Sequence, residues 1–221
     1  MARESFSEHI KELEKDVVAM SEMVITATNR SVEALKTQNV AEADKIIAND
    51  ELINKKRWDI EEKCIHLIAR QQPVASDLRE IIGILNIITD LERIGDYAEG
   101  IAKIVILLGD EPLIKPLVDI PQMAQKATAM LRESIEAFVK RDVKSAKAIC
   151  NKDDDVDALY DQVYRELLTY MIEDPKTISK ATPLIWAAHN LERIADRATN
   201  ICERTVFLAT GIMQDINVSR Y

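Results

Sequence analysis

The feature that most constrains this chain is that it is written twice. Asp90-Leu91-Glu92-Arg93-Ile94-Gly95-Asp96 returns as Asn190-Leu191-Glu192-Arg193-Ile194-Ala195-Asp196, a shift of 100, with Ala98 and Ile101 recurring as Ala198 and Ile201. Further upstream, Asp50-Glu51-Leu52-Ile53-Asn54 aligns with Asp153-Asp154-Asp155-Val156-Asp157 at a shift of 103. Pro73 and Pro175 match at 102, as do Gly109 and Gly211. A period this long marks duplication of a whole folding unit rather than a short solenoid repeat. The fold must therefore be built from two copies of one design.

That design reads as three helices. Phe6, Ile10, Leu13, Val17, Met20, Val24, Ala27, Ser31 and Ala34 recur at alternating spacings of four and three, one buried seam along a first helix. Asn39 with Glu42 reads as a capping box opening a second helix, which runs to about Gln72 before Pro73. A third spans Ser76 to Leu108, with Gly109 as its C-cap. Pro112, Pro116 and Pro121 then forbid a regular helix and mark the linker. A fourth helix is expected from Pro121 to Lys140, and a fifth, capped by Asp142, from Val143 to Glu173. Asp174-Pro175 opens a sixth, which closes at Gly211 and is expected to kink near Pro183. Helices of about 30 residues are about 45 Å long. The expectation is an all-α fold of two tandem three-helix bundles related by internal duplication, residues 1–110 and 111–221. Glycine agrees: five residues, about 2% against roughly 7% on average, leave little material for hairpin turns or phosphate-cradling loops.

The charge balance narrows the partners. Lys and Arg total 29 against 38 Asp and Glu, a net charge of −9. No basic run offers the footprint that nucleic-acid phosphates require, whereas an acidic surface suits cations or basic protein faces. Cys64, Cys150 and Cys202 are odd in number, far apart in sequence and free of CxxC spacing, which points to a reducing cytoplasm and small buried side chains. The start of the chain, Met1 to Phe6, lacks a signal-peptide apolar core. Ile81 to Ile88 and Ile101 to Leu108 are too short to span a bilayer. His66 and His189 read as structural histidines, Met20, Met123 and Met130 as core fillers, and Trp58 and Trp186 as packing residues.

The carboxylates are organised. On a helical wheel centred on Leu91, the apolar stripe is Ile84, Ile87, Ile88, Ile94, Ala98, Ile101, Ala102 and Val105. Glu92, Asp96 and Glu99 gather at one margin of it. Glu192, Asp196 and Glu203 do the same in the sixth predicted helix. Arg93 and Arg193 project roughly 100° away, so the wheel leaves the acids uncompensated. Like charges four residues apart cost a helix about 0.2–0.5 kcal/mol per pair, so something is expected to offset them. Asp50 and Asn54 on the second helix, and Asp153 and Asp157 on the fifth, would complete oxygen-rich sites suited to Mg, Ca, Mn or iron. An acidic column can equally be a solvated helix edge. GxxxxGK[ST], GxGxxG, GxSxG and HExxH are all absent. Two further readings stay open: a carboxylate-bridged metalloenzyme using the same ligands, and a purely structural helical spacer.

The two Leu-Glu-Arg-Ile-(Gly/Ala)-Asp motifs, Gln72-Pro73-Val74-Ala75-Ser76-Asp77-Leu78-Arg79 and the close from Asn200-Ile201-Cys202-Glu203 to Gly211 together resemble the signature of the PhoU family of phosphate-uptake regulators. The resemblance spans Phe6 to Gly211. It implies a cytoplasmic, non-enzymatic protein of two three-helix bundles. Such a protein acts as a negative regulator of phosphate uptake and the phosphate-starvation response. It links the ATP-binding subunit of the phosphate transporter to a sensor histidine kinase, and it meets the membrane only peripherally through that complex. A homodimer is among the expected assemblies, and nucleic acid is not among the partners. The resemblance further implies multinuclear metal, iron or another divalent ion, at Glu92/Asp96, Glu192/Asp196 and Asp153/Asp157. Asn54 departs from the family's acidic pattern, since an amide ligates without charge.

Overall fold

Seven α-helices account for almost all of the described residues: α1 (Ala2–Thr37), α2 (Val40–Gln71), α3 (Ser76–Leu108), α4 (Asp119–Lys140), α5 (Val143–Cys150), α6 (Asp153–Glu173) and α7 (Ile178–Thr210). A single 3₁₀ turn, Pro175–Thr177, precedes α7. The computed structural model describes residues 2–214 and 216, and among them there is no strand. Met1, residue 215 and residues 217–221, which fall within the expected bundle ranges and the N-terminal reading, lie outside the described residues.

The expected seams are the observed cores. Val17, Met20 and Val24 of α1 and Ile84, Ile87, Leu91, Ile94, Ala98 and Ile101 of α3 are fully buried, as are Met123 and all three cysteines. Ala27 is only half-buried. The same turn closes the first helix of each unit. Gln38 and Arg141 sit in the left-handed region at φ 51 and 53, and the next residue, Asn39 or Asp142, caps the following helix. Amides bond back to Leu35 and Ala34 in one copy and to Phe138 and Ala137 in the other, a Schellman closure. Neither αL position is glycine because each side chain is used. Gln38 Nε2 donates to the Gly109 and Glu111 carbonyls, while Arg141 stacks on Phe138 and reaches Glu14 at 2.8 Å.

Two expectations need correction. The fifth predicted helix is two helices, broken at Asn151 and Lys152. Three successive aspartates, Asp153 to Asp155, gain more at the positive end of a new helix than inside a continuing one. Trp58 and Trp186 are not packing residues but are 58% and 52% exposed, and His66 and His189 are both exposed rather than structural. The cysteines are free and buried as expected, and folding brings Cys150 of α5 into hydrogen-bond contact with Cys202 of α7.

The two units lie side by side rather than end to end. α3 and α7 form the central seam, running antiparallel in register. Arg79 meets Gly211, Gly83 meets Leu208, Asp90 meets Asn200, Tyr97 meets Arg193 and Gly100 meets Asn190, so paired residue numbers add to 290 or 291. α1 and α4 complete a central four-helix layer, tied by Arg141–Glu14 and Arg132–Glu22. α2 packs outside α1 and α3, and α6 outside α4 and α7. One continuous apolar cluster runs through both units. The proline-rich linker is pinned as well. Leu117 is buried, and Lys115, 9% exposed, pairs with Asp119 at 3.7 Å and with Glu166 of α6.

Candidate functional site

The motif residues of α3 and α7 project beside the central seam into the grooves shared with α2 and α6. In the first unit Asp50 lies over Gly95. A β-carbon at Gly95 would stand 3.3 Å from Asp50 Oδ1, so the small residue lets α2 approach. Asn54 Nδ2 donates to Asp50 Oδ2 at 2.8 Å. Burial, then the charges of Glu99, Asp96 and Glu92, push the Asp50 carboxyl up from its ordinary value. All five expected residues of this unit, Asp50, Asn54, Glu92, Asp96 and Glu99, are thus neighbours.

Their charge is not uncompensated. Arg57 of α2 lies 3.7 Å from Glu92, and Arg93 lies 3.6 Å from Glu92 and 3.0 Å from Asp96. Glu99 pairs with Lys103 at 2.6 Å. In the second unit Arg193 binds Asp196 at 2.6 Å. The arginines reach the acids because residues three apart on a helix are neighbours, and a long guanidinium side chain spans the remaining angle.

The second unit is the more strained electrostatically. Asp157, Glu192 and Asp196 lie within one another's electrostatic reach across the α6–α7 groove, with Asp153 also acting on Glu192. Glu192 is pushed up to about 7, first by burial and then by Asp196, against the opposing pull of Arg193, with Asp157 and Asp153 adding to the rise. Burial also raises Asp157 and Asp196. Glu192 Oε2 is buried and makes no hydrogen bond among the described residues, although His189 Nδ1 lies 3.3 Å away. The repeat explains the asymmetry. At the shift of 103, the position of Arg57 is taken by Tyr160, so Glu192 loses the arginine that Glu92 has. That signal lay in the alignment of the two halves.

Glu203 does not join the cluster. It lies seven residues beyond Asp196, about 10 Å along the helix, and its Oε1 accepts the Ile216 amide at 2.8 Å. Asp90, Arg197, Asn200 and Tyr97 are not among the candidate site residues that the sequence offers. Asp90 Oδ1 accepts from Arg197 and Asn200, each at 3.3 Å, and Tyr97 accepts from Arg193. Their importance depends on the antiparallel register, which no local pattern displays.

The donor set is all oxygen, and the raised carboxyls and unbonded Glu192 oxygen suit a hard cation. Among the described residues, however, no three His, Cys, Asp or Glu side chains converge on one point as ligands for a metal ion. The acids line an open groove, whereas the cavity of about 370 Å³ between α1 and α2 is lined by Met23, Arg30, Ile46, Leu52 and neighbours, with none of the motif carboxylates. No helix of the described residues is long and apolar enough to cross a membrane.

Comparison with known proteins matches this arrangement along its whole length. A family model described as the PhoU domain matches residues 17–105 and again 120–205, one copy in each unit. A phosphate-specific transport system accessory protein PhoU homolog of Clostridium acetobutylicum is 39% identical over 218 residues, covering 98% of this chain and all of the relative. The Aquifex aeolicus protein of the same name is 43% identical over 202 residues, 91% of each chain. The crystal structure of the phosphate transport system regulatory protein PhoU from Streptococcus pneumoniae superimposes with a TM-score of 0.88 at 33% identity, covering 95% of this chain and 99% of that one. That of PhoU from Pseudomonas aeruginosa gives 0.88 at 36% identity, covering 94% and 100%.

Proposed function

This chain belongs to the PhoU family, and from that premise we propose that it is a cytoplasmic, non-enzymatic regulator of phosphate uptake. It acts negatively on the phosphate-starvation response, between the ATP-binding subunit of a phosphate transporter and a sensor histidine kinase. The observation that carries this reading is the end-to-end correspondence with proteins named for phosphate transport accessory and regulatory roles. A protein that acts by docking needs rigid faces rather than an enclosed pocket, and long helices around one core supply them.

The acidic grooves are part of the proposal. Asp157, Glu192 and Asp196, with Asp153, would hold a divalent cation, and Asp50, Asn54, Glu92 and Asp96 a second, weaker one already half-neutralised by arginine. A bound cation would supply the positive charge that the buried Glu192 lacks and would lower its proton affinity. A metalloenzyme using the same ligands is favoured by one observation, the value of Glu192 near neutrality, which suits acid–base work.

Complementation in a host lacking its own copy tests the regulator. The chain is expected to restore repression of a phosphate-starvation reporter in phosphate-rich medium, and pull-down with the transporter ATPase and the kinase is expected to retain both. Failure of the chain to restore repression, or retention of neither partner in the pull-down, overturns the reading. Elemental analysis of wild type against E192A/D196A tests the metal, with unchanged content as the refuting result. Turnover of phosphate esters or peroxide by the metal-loaded protein would favour the enzyme.

A further inference from the structure

A row of large apolar side chains lies exposed beside the second acidic groove. Tyr164, Leu168 and Ile172 follow one another at spacings of four along α6 and are 44%, 40% and 73% exposed. Ile178 and Trp186 of α7 are 48% and 52% exposed. Spacing of four puts the α6 residues on one helical face. The Tyr160 ring, 6.4 Å from Tyr164 and 5.9 Å from His189, turns that face toward α7, one turn from Trp186. Isolated exposed apolar residues are ordinary, but a contiguous row marks an interaction surface.

The fold itself does not require this row. At the corresponding positions the first unit carries Arg57, Glu61, Ile65, Ala69 and Asn86 where the second has Tyr160, Tyr164, Leu168, Ile172 and Trp186. Only Ile65 of that set is a large apolar side chain; other exposed apolar residues of the first unit on the equivalent helices, such as Leu52, Trp58 and Ile82, stand at different positions. The run at positions 164, 168 and 172 facing Trp186 is thus particular to the second unit.

Charge selects the occupant. The row runs into Asp157, Asp161, Glu192 and Asp196, offset by Arg165 on Asp161 and Arg193 on Asp196. The surplus is negative, which repels anionic membranes and attracts cations. From Asp157 to Ile172 the strip is about 22 Å long, about four helical turns. We infer that this strip docks an amphipathic helix of a partner protein, its Leu/Ile face on Leu168, Ile172 and Trp186 and its Lys/Arg end over Asp157 and Asp161. The charge argument applies to the metal-free groove, since a divalent cation at Asp157, Glu192 and Asp196 would cancel the surplus, so the binding assays are run in chelator.

Two labelled 18-residue helical peptides test it, one with a Leu/Ile stripe and lysines at one end, the other with glutamates replacing the lysines. Fluorescence anisotropy of the full chain is expected to show binding of the lysine peptide, weakened at 0.5 M salt, and at least tenfold weaker binding of the glutamate peptide. The double variant L168E/I172E, whose positions are exposed, should lose at least tenfold while keeping its circular dichroism. I65E, in the first unit, should bind like wild type. Equal binding of both peptides, undiminished binding by L168E/I172E, or an equal loss in I65E overturns the inference. So does a fall in oligomeric mass of L168E/I172E by light scattering, which assigns the strip to a second copy. Capture of phosphatidylserine vesicles by wild type and not the variant assigns it to membrane and overturns it too.

Discussion

Replacing Glu192 with glutamine removes a buried charge while keeping the side chain's shape. Glu192 is held at about 7 against an ordinary 4.5, so the folded state binds this proton more tightly than the unfolded state. Its contribution is therefore unfavourable once the group ionises, and wild-type stability declines as pH rises from 4.5 to about 7. At about 1.4 kcal/mol per pKa unit, the full penalty above both values is about 3 kcal/mol. The side chain keeps 20% of its surface in water, and screening reduces the expected figure to about 2 kcal/mol. E192Q should accordingly match wild type near pH 4, exceed it by about 1 kcal/mol near pH 5.5, and by about 2 kcal/mol at pH 8. For a chain of this size, that last difference raises Tm by about 4–8 °C. Urea unfolding in the presence of chelator, at each pH for both proteins, measures the gap. A variant no more stable than wild type at pH 8, or a gap that does not widen with pH, would falsify the account of a charge crowded by burial and by Asp196.

The seam and the linker give two more tests. Asp90→Ala leaves Arg197 and Asn200, which now share its Oδ1 at 3.3 Å, without an acceptor at the interface of the two units. Stability should fall by about 2 kcal/mol in urea, and an unchanged midpoint would mean the contact is incidental. Lys115→Ala removes the cation held between Asp119 and Glu166. A loss of about 1–3 kcal/mol is expected, together with thermolysin cleavage next to Leu113 or Ile114, which wild type should resist; equal resistance of the variant refutes the pinning role.

Legibility followed the range of the interaction concerned. Helix ends written by Pro73, Gly109 and Asp174-Pro175 were readable because capping acts within four residues. The apolar stripes were readable because periodicity reports burial directly. The break at Asn151 was hidden, since the residues on either side of it still alternate like one helix. The acids named in each unit lie near one another in the fold, apart from Glu203, whose wheel angle matched while its height along the helix did not. Trp58 and Trp186 show the limit most simply. Nothing local says whether a tryptophan meets a partner within its own fold, and here neither does so fully.

The antiparallel meeting of α3 and α7 has a consequence for how the chain holds together. Asp90 meets Asn200 while Gly100 meets Asn190, so each contact is answered by its counterpart with the two units exchanged. That reciprocity is the rule of a twofold dimer interface, in which one patch is complementary to itself. The molecule is in this sense a dimer whose subunits have been joined by residues 109–118. Joining replaces a concentration-dependent encounter with an effective concentration in the millimolar range. Cohesion of the two halves is then the same in a dilute cell extract as in a concentrated sample, and neither half has to find its mate.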